Sequence, residues 1–191
     1  MANIITVLRT IFALAVVGLL FAPSPTVYVC CFILTVIVIL MDALDGYVAR
    51  KRGESSKLGA LLDIIGDRIV ENSYWIIFAV LGWIYAWIPL IVVIRGIITD
   101  SLRSVAGEQG FTAFGDSTMM QSRIGFALVA SRATRFIYAA SKAAAFSLLI
   151  AGNIPGFEGS FRTAVLITGN VAVYLAVFLC VLRGIPVIIE S

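Results

Sequence analysis

The chain has 191 residues, of which 61% are hydrophobic and only 13% are charged, and its formal net charge is +3. This balance excludes an ordinary soluble domain, in which about a quarter of the residues are charged. Because the sequence contains no histidine, it also excludes Ser-His-Asp triads, histidine-bound zinc and imidazole bases, so proton transfer is left to carboxylate, Lys, Tyr or Cys side chains.

Long uncharged stretches predict an all-α integral membrane protein. Residues 10–41, 72–94 and 163–182 contain no charged side chain, and each is long enough for a helix of about 20 residues to cross a bilayer. Prolines and glycines divide the chain into six predicted transmembrane helices. In chain order, we predict these helices over residues 4–22, 26–50, 57–82, 86–106, 131–152 and 161–185. We expect 107–130 to lie along the membrane surface, and residues 1–191 to form a single domain.

Four aspartates interrupt the apolar pattern near the end of the second predicted helix and the start of the third. They are Asp42, Asp45, Asp63 and Asp67. A carboxylate at bilayer depth costs roughly 2.5–3.5 kcal/mol on insertion scales, so each of them requires a neutralising partner. Metal ions, basic side chains and protonation are the alternatives, and we expect metal ions because they take several carboxylates at once as hard oxygen ligands.

The spacing of these acids puts them on two helical stripes. Residues three, four and seven positions apart share a helix face. The first stripe combines Asp42, Asp45, Gly46 and Ala49, and the second combines Gly59, Asp63, Gly66 and Asp67. If the two stripes face each other, four carboxylates form one pocket suited to two divalent cations that clamp the attacking and leaving oxygens of a phosphoryl transfer. Arg50, next to the first stripe, offers a planar fork of donors to phosphate oxygens.

Basic residues collect on one predicted side of the membrane. Six spans put both termini on that side, and the positive-inside rule makes it cytoplasmic. The basic residues concerned are Arg9, Arg50, Lys51, Arg52, Lys57, Arg103, Arg123, Arg132, Arg135 and Arg183. We therefore predict a multi-pass protein of the cell (inner) membrane with its active site facing the cytoplasm.

Eight positions within twenty-six residues carry a resemblance to a known family. The pattern D-x-x-D-G-x-x-A-R, then eight residues, then G-x-x-x-D-x-x-x-D, resembles the signature of the CDP-alcohol phosphotransferase (CDP-alcohol phosphatidyltransferase) family. The resemblance implies a six-helix membrane enzyme that moves a phosphatidyl group from CDP-diacylglycerol to an alcohol and releases CMP. It also implies two divalent cations, Mg²⁺ or Mn²⁺, as cofactors.

The same resemblance implies roles for the residues of the pattern. The implied metal ligands are Asp42, Asp45, Asp63 and Asp67. Asp67 is also the implied catalytic base that takes the proton of the acceptor hydroxyl. The implied CDP-lipid-binding residues are Gly46, Ala49, Arg50 and Gly59.

Outside this pattern the chain is similar to the phosphatidylglycerophosphate synthases of the family, which use glycerol 3-phosphate as acceptor. The likeness covers the opening NIITVLRT and the segment with Arg95 and Arg103. Two departures are Gly96, where that group usually has Glu, and Arg68 after Asp67, which is closer to members that use inositol phosphate. Inositol phosphate or another polar alcohol is therefore the alternative acceptor. We expect an acceptor phosphate to be bound by cations, for which the candidates are Arg95, Arg103, Arg132, Arg135 and Lys142.

Two remoter hypotheses use the same acids differently. An intramembrane prenyltransferase would bind a prenyl pyrophosphate through two Asp motifs, but such enzymes usually have more helices. A cation transporter would line an ion path with its acids, usually near the midplane and with inverted repeats, whereas here the acids crowd one surface and no repeat is visible. The expected partners are CDP-diacylglycerol, the acceptor alcohol and the lipid bilayer, with no nucleic acid, and the apolar outer faces permit a homodimer.

Overall fold

The computed structural model describes residues 2–52, 57–108, 120 and 122–190, without the side chains of residues 2, 3, 43, 45–52, 57, 58 and 60. The fold of this described part is all-helical and contains no β-strand, as predicted. Its helices are α1 (Ala2–Leu19), α2 (Pro25–Arg52), α3 (Lys57–Val80), α4 (Trp87–Glu108), the short α5 (Arg123–Gly125), a π-helix (Phe126–Ala130), α6 (Arg132–Gly152) and α7 (Ser160–Glu190).

The six predicted helices correspond to α1, α2, α3, α4, α6 and α7, with ends that differ by at most five residues. Two of them are long and apolar enough to cross a membrane by length and composition: α2, over Pro25–Asp42, and α7, over Ser160–Glu190. A shorter apolar stretch, Ile4–Leu19, lies in α1. The predicted surface segment 107–130 lies partly outside the described residues, and its last part forms α5 and the π-helix.

Proline and glycine set the helix ends, as the sequence predicts. Pro25 is the first residue of α2, where the missing N–H has no intrahelical partner to lose. Past the end of α3, Gly82 has a φ of +74°. The Gly82 N–H donates to the Ala79 carbonyl, and the Trp83 N–H donates to the Phe78 carbonyl. These two bonds form a Schellman motif, which needs a left-handed residue and therefore favours glycine.

The described chain separates into two compact units. The first consists of Met1–Ile84 and Phe146–Gly169, and the second consists of Tyr85–Ala145 and Asn170–Ser191. Each unit contains part of α6 and part of α7. The single domain expected over residues 1–191 stays a prediction.

In the first unit, α1 packs against both α2 and α3. An aromatic core lies further along α3, where the ring centroid of Phe146 is 4.9 Å from that of Tyr74 and 5.0 Å from that of Trp75. The Tyr74 hydroxyl is 2.9 Å from Thr35 Oγ1 on α2, which satisfies both buried hydroxyls. This packing fixes α3 beside α1 and α2, and so positions the acids of α2 and α3 around α1.

In the second unit, Arg183 of α7 stabilises the π-helix. The Ser131 N–H donates to the Phe126 carbonyl. The carbonyls of the last turn of a helix have no donors within the helix. Arg183 Nε donates to the Leu128 carbonyl at 3.1 Å, and Nη2 donates to the Val129 carbonyl at 3.3 Å. A buried cation thus caps the end of an irregular helix.

Candidate active site

Three of the four predicted aspartates converge on the guanidinium of Arg9 in α1. Nη2 of Arg9 is 2.6 Å from Asp67 Oδ1 and 3.6 Å from Asp63 Oδ1, while Nη1 contacts Asp42 Oδ1. Arg9 is 2% exposed, whereas the three carboxylates are 52–57% exposed. The predicted stripes of α2 and α3 therefore meet at a buried cation that α1 supplies.

A glycine allows α1 and α3 to approach closely at this point. A Cβ atom at Gly66 would lie 3.0 Å from Thr6 Cγ2, 3.1 Å from Thr10 Oγ1 and 3.6 Å from Arg9 Nη2. Thr6 is buried, and its carbonyl accepts a hydrogen bond from the Thr10 hydroxyl at 2.9 Å. Neither side chain can therefore easily move away from a Cβ atom at position 66. Because Gly66 lies between Asp63 and Asp67 on the same face, the close approach brings Arg9 within reach of both acids.

The sequence did not single out Arg9 as the partner of these acids. From the sequence, metal ions rather than a basic side chain are expected beside these acids, and the structure adds a basic side chain, because one arginine contacts three of the carboxylates. The planar guanidinium presents five donors and so accepts more than one carboxylate at a time. A signal for this contact was present, since Arg9 is the one cation of an otherwise apolar first helix.

The remaining residues of the pattern are only partly described. Asp45, Gly46, Ala49 and Arg50 belong to α2, but their side chains lie outside the described residues. Gly59 lies on α3, one turn before Asp63, and is partly buried. Their predicted contacts with a CDP-lipid stay predictions.

The donor set suits a hard divalent cation. Oxygen ligands from aspartate are those that Mg²⁺ and Mn²⁺ prefer, and each described carboxylate is about half exposed and so is accessible to an ion. Among the described side chains, no three acidic, cysteine or histidine groups are arranged to share one metal ion. The guanidinium of Arg9 lies beside three of these carboxylates and contributes positive charge to the site.

The predicted acceptor-phosphate residues belong to the second unit. Arg95 and Arg103 lie on α4, and Arg132, Arg135 and Lys142 lie on α6. Lys142 Nζ lies 4.6 Å from the centre of the Tyr138 ring, and Arg132 is exposed. Arg95 is 9% exposed, and its Nε has no hydrogen-bond partner within the described part of the chain.

Arg183 joins this group of cations, although the sequence assigned it only to the basic side of the membrane. Its Cζ lies 5.3 Å from the centre of the Tyr138 ring that Lys142 also contacts. The side chain of Arg95 lies against the next residue, Gly184, where a Cβ would come within 3.0 Å of Arg95 Cγ. The structure therefore brings together Arg95, Lys142 and Arg183 from three different helices.

Comparison with known proteins identifies the family. The family model for CDP-alcohol phosphatidyltransferases matches residues 1–182. The chain belongs to this family. The match confirms the resemblance predicted from the eight-position pattern, and it also includes Arg9 and Lys142 and ends one residue before Arg183.

Individual relatives in the CDP-alcohol phosphatidyltransferase family are similar over shorter stretches. A CDP-diacylglycerol–glycerol-3-phosphate 3-phosphatidyltransferase of Mycoplasma genitalium is 32% identical over 71 residues, which is 37% of this chain and 30% of the relative. A protein of the same name from Pseudomonas fluorescens is 30% identical over 115 residues, 59% of each chain. The archaetidylinositol phosphate synthase of Aeropyrum pernix is 31% identical over 98 residues, 51% of this chain and 50% of the relative. The chain thus spans 30% to 59% of the length of these relatives.

Proposed function

We propose that the protein transfers a phosphatidyl group from CDP-diacylglycerol to glycerol 3-phosphate, giving phosphatidylglycerophosphate and CMP. The observation that carries this proposal is the convergence of Asp42, Asp63 and Asp67 on one cationic centre. These acids are three of the eight positions of the family pattern. The names of the relatives from Mycoplasma genitalium and Pseudomonas fluorescens support the choice of both substrates.

The aspartates would hold the two divalent cations, Mg²⁺ or Mn²⁺. When bound, such cations neutralise the diphosphate of the lipid substrate and make CMP a better leaving group. The metal ligands in this proposal are Asp42, Asp45, Asp63 and Asp67, and the CDP-binding residues are Gly46, Ala49, Arg50 and Gly59. Small residues on the helix faces leave room for the nucleotide, and Arg50 offers paired donors to its phosphates.

Asp67 is the proposed base. It accepts the proton of the acceptor hydroxyl while the hydroxyl oxygen bonds to the phosphorus that carries the diacylglycerol. The bond from that phosphorus to the oxygen of CMP breaks in the same displacement. In the structure, Arg9 Nη2 donates a hydrogen bond to Asp67 Oδ1 at 2.6 Å, which holds this carboxylate in place.

The acceptor phosphate would bind to the cations of the second unit. The proposed residues are Arg95, Arg103, Arg132, Arg135 and Lys142. We add Arg183, because it lies against the same Tyr138 ring as Lys142. Arg95 supports this role because it is nearly buried and retains an Nε donor with no partner within the described residues. A dianionic phosphate would complete such a donor set through charge-assisted hydrogen bonds.

The proposed setting is a cell (inner) membrane. Helices α1, α2, α3, α4, α6 and α7 would provide six spans, with both termini and the aspartates on the cytoplasmic side. The apolar α2 and α7 and the family assignment support a membrane protein. The positive-inside distribution of Arg and Lys supports the orientation, and a homodimer stays a prediction.

Inositol phosphate is the second candidate acceptor. Arg68 after Asp67 and the similarity to the archaetidylinositol phosphate synthase of Aeropyrum pernix favour it. The chemistry of transfer would be unchanged, because both acceptors present a hydroxyl and a phosphate.

The test is a transfer assay with purified protein in lipid nanodiscs. CDP-diacylglycerol and Mg²⁺ or Mn²⁺ are combined with glycerol 3-phosphate or inositol phosphate, and CMP and the lipid product are quantified. We expect CMP and phosphatidylglycerophosphate with glycerol 3-phosphate. If a lipid product forms with inositol phosphate but not with glycerol 3-phosphate, inositol phosphate is the acceptor. If CMP is released with neither acceptor present in the product, or is not released at all, the proposed function is contradicted. Full turnover in excess chelator would contradict the metal role.

A further inference from the structure

We propose that Arg9 is a built-in counter-ion that competes with divalent cations for the aspartates. In the metal-free protein its guanidinium neutralises the carboxylates of Asp42, Asp63 and Asp67. When metal ions bind, Arg9 gives up part of these contacts. This inference rests on the proposed function, because it assumes that the same acids hold metal ions.

The contacts of Arg9 carry the inference. A single guanidinium approaches one oxygen of each of three carboxylates, from two different helices. Arg9 is 2% exposed, and its Nε is buried without a hydrogen-bond partner in the described part of the chain. Within the described residues, the polar contacts of its guanidinium are therefore with these three acids.

Competition follows from charge and from shared oxygens. A metal ion bound to Oδ1 of Asp42, Asp63 or Asp67 would use an oxygen that Arg9 now contacts. It would also bring two further positive charges beside a cation that is largely screened from water, where repulsion is strong. The guanidinium must therefore withdraw, rotate toward the free carboxylate oxygens, or weaken metal binding.

A purely structural ion pair makes the opposite prediction. If Arg9 only fastened α1 to α2 and α3, its removal would disorder the acids and would lower the affinity for metal ions. If Arg9 is a competing counter-ion, its removal leaves the acids without a neutralising charge and raises that affinity. The sign of the change in metal affinity therefore separates the two roles.

The experiment measures metal binding without substrates. Mn²⁺ binding to the full-length protein in nanodiscs is followed by electron paramagnetic resonance, and thermal unfolding is recorded in chelator and in saturating Mn²⁺. The test variant is Arg9→Met, which keeps an unbranched apolar side chain and removes the guanidinium and its charge. The matched control is Arg68→Met, which removes the same charge one residue after Asp67, where Arg68 pairs with Glu71 at 3.1 Å.

We expect Arg9→Met to bind Mn²⁺ at least about fivefold more tightly than the parent protein, at the lower end of typical coupling between two sites. Arg68→Met should change the affinity for Mn²⁺ by less than Arg9→Met does. In chelator, Arg9→Met should unfold at a lower temperature than the parent, and Mn²⁺ should reduce or reverse that difference. If Arg9→Met does not fold, the same Mn²⁺ affinity is measured on Arg9→Gln, which removes the charge but retains two N–H donors.

Two results would overturn the inference. If the parent binds Mn²⁺ but the Arg9 variants bind it equally or more weakly, Arg9 is not a competitor, and the proposed function is untouched. If the parent binds no Mn²⁺ at all, both this inference and the metal role in the proposed function are wrong.

Discussion

At Arg9, a cation is almost completely buried in an apolar helix because carboxylates surround it. The carboxylates in turn lie close together, and the positive charge of Arg9 reduces the repulsion between them. Removing one partner of a buried ion pair costs about 3–5 kcal/mol, largely because the other charge is left uncompensated. Arg9 contacts three carboxylates, so the loss of one of them leaves Arg9 paired with two others.

Replacement of the proposed base separates chemistry from folding. Asp67→Asn keeps the size of the side chain but can no longer accept a proton at the acceptor hydroxyl. We expect transfer to fall by about 10²–10⁴-fold, the usual contribution of a general base, while the thermal unfolding temperature changes little because Asp42 and Asp63 still neutralise Arg9. CMP release and thermal unfolding are measured on the same preparation.

The control for this variant is Glu158→Gln, which removes an acid from the turn between α6 and α7. It should leave transfer unchanged. Near-normal turnover in Asp67→Asn would reject Asp67 as the base.

The cations near Tyr138 make a separate prediction for the acceptor. Lys142→Met should raise the KM for glycerol 3-phosphate by about tenfold, since a charge-assisted hydrogen bond contributes roughly 1.5–3 kcal/mol. The KM for CDP-diacylglycerol should change little. Steady-state kinetics with each substrate varied in turn provide the measurement.

Arg123→Met is the matched control, because it removes an exposed cation from the same unit. It should leave both KM values close to those of the parent. If Lys142→Met raised the KM for both substrates equally, the substitution would have disturbed the structure of the second unit rather than removed a contact with the acceptor phosphate.

At the scale of elements, the contact of α1 with α3 depends on Gly66. Alanine normally stabilises a helix by about 0.5–1 kcal/mol relative to glycine. At Gly66 that gain is opposed by overpacking against Thr6 and Thr10, which typically costs about 1–3 kcal/mol. Gly18 of α1 lacks this conflict, since a Cβ there meets no atom within 4 Å.

The two glycines therefore give a paired test. Gly18→Ala should raise stability by about 0.5–1 kcal/mol, and Gly66→Ala should be at least about 1 kcal/mol less stable than Gly18→Ala. Gly66→Ala should also slow transfer, because Arg9 shifts relative to Asp63 and Asp67. Unfolding in mixed micelles and the transfer assay are compared, and equal stabilisation by both substitutions would contradict the close packing.

At the scale of the whole molecule, the proposed six-span arrangement predicts which positions face each side of the membrane. After the three native cysteines are replaced by serine, Ser104→Cys near the end of α4 should react with a membrane-impermeant maleimide only from the cytoplasmic side. Ser160→Cys at the start of α7 should react only from the opposite side. Labelling of both positions from the same side would refute the predicted topology.

Much of the fold could be predicted because its signals are local. Pro25 and Gly82 mark helix ends, and the spacing of Asp63 and Asp67 puts both acids on the face that meets α1. The contacts of Arg9 and Arg183 were harder to predict, because helical periodicity indicates which face a residue occupies but not which helix lies opposite that face. Arg9 contacts an acid 58 positions away, and Arg183 contacts carbonyls 54 and 55 positions away.

The distance along the chain between Arg9 and Asp67 has a consequence for biosynthesis. A membrane protein is inserted as it leaves the ribosome, beginning at its N-terminus. In the proposed six-span topology, α1 enters the membrane before the acids that contact Arg9 have emerged from the ribosome. The arginine must therefore remain near the lipid headgroups, where long cationic side chains settle, until α2 and then α3 arrive. In this topology, assembly of the proposed catalytic centre is complete only after the third helix has emerged.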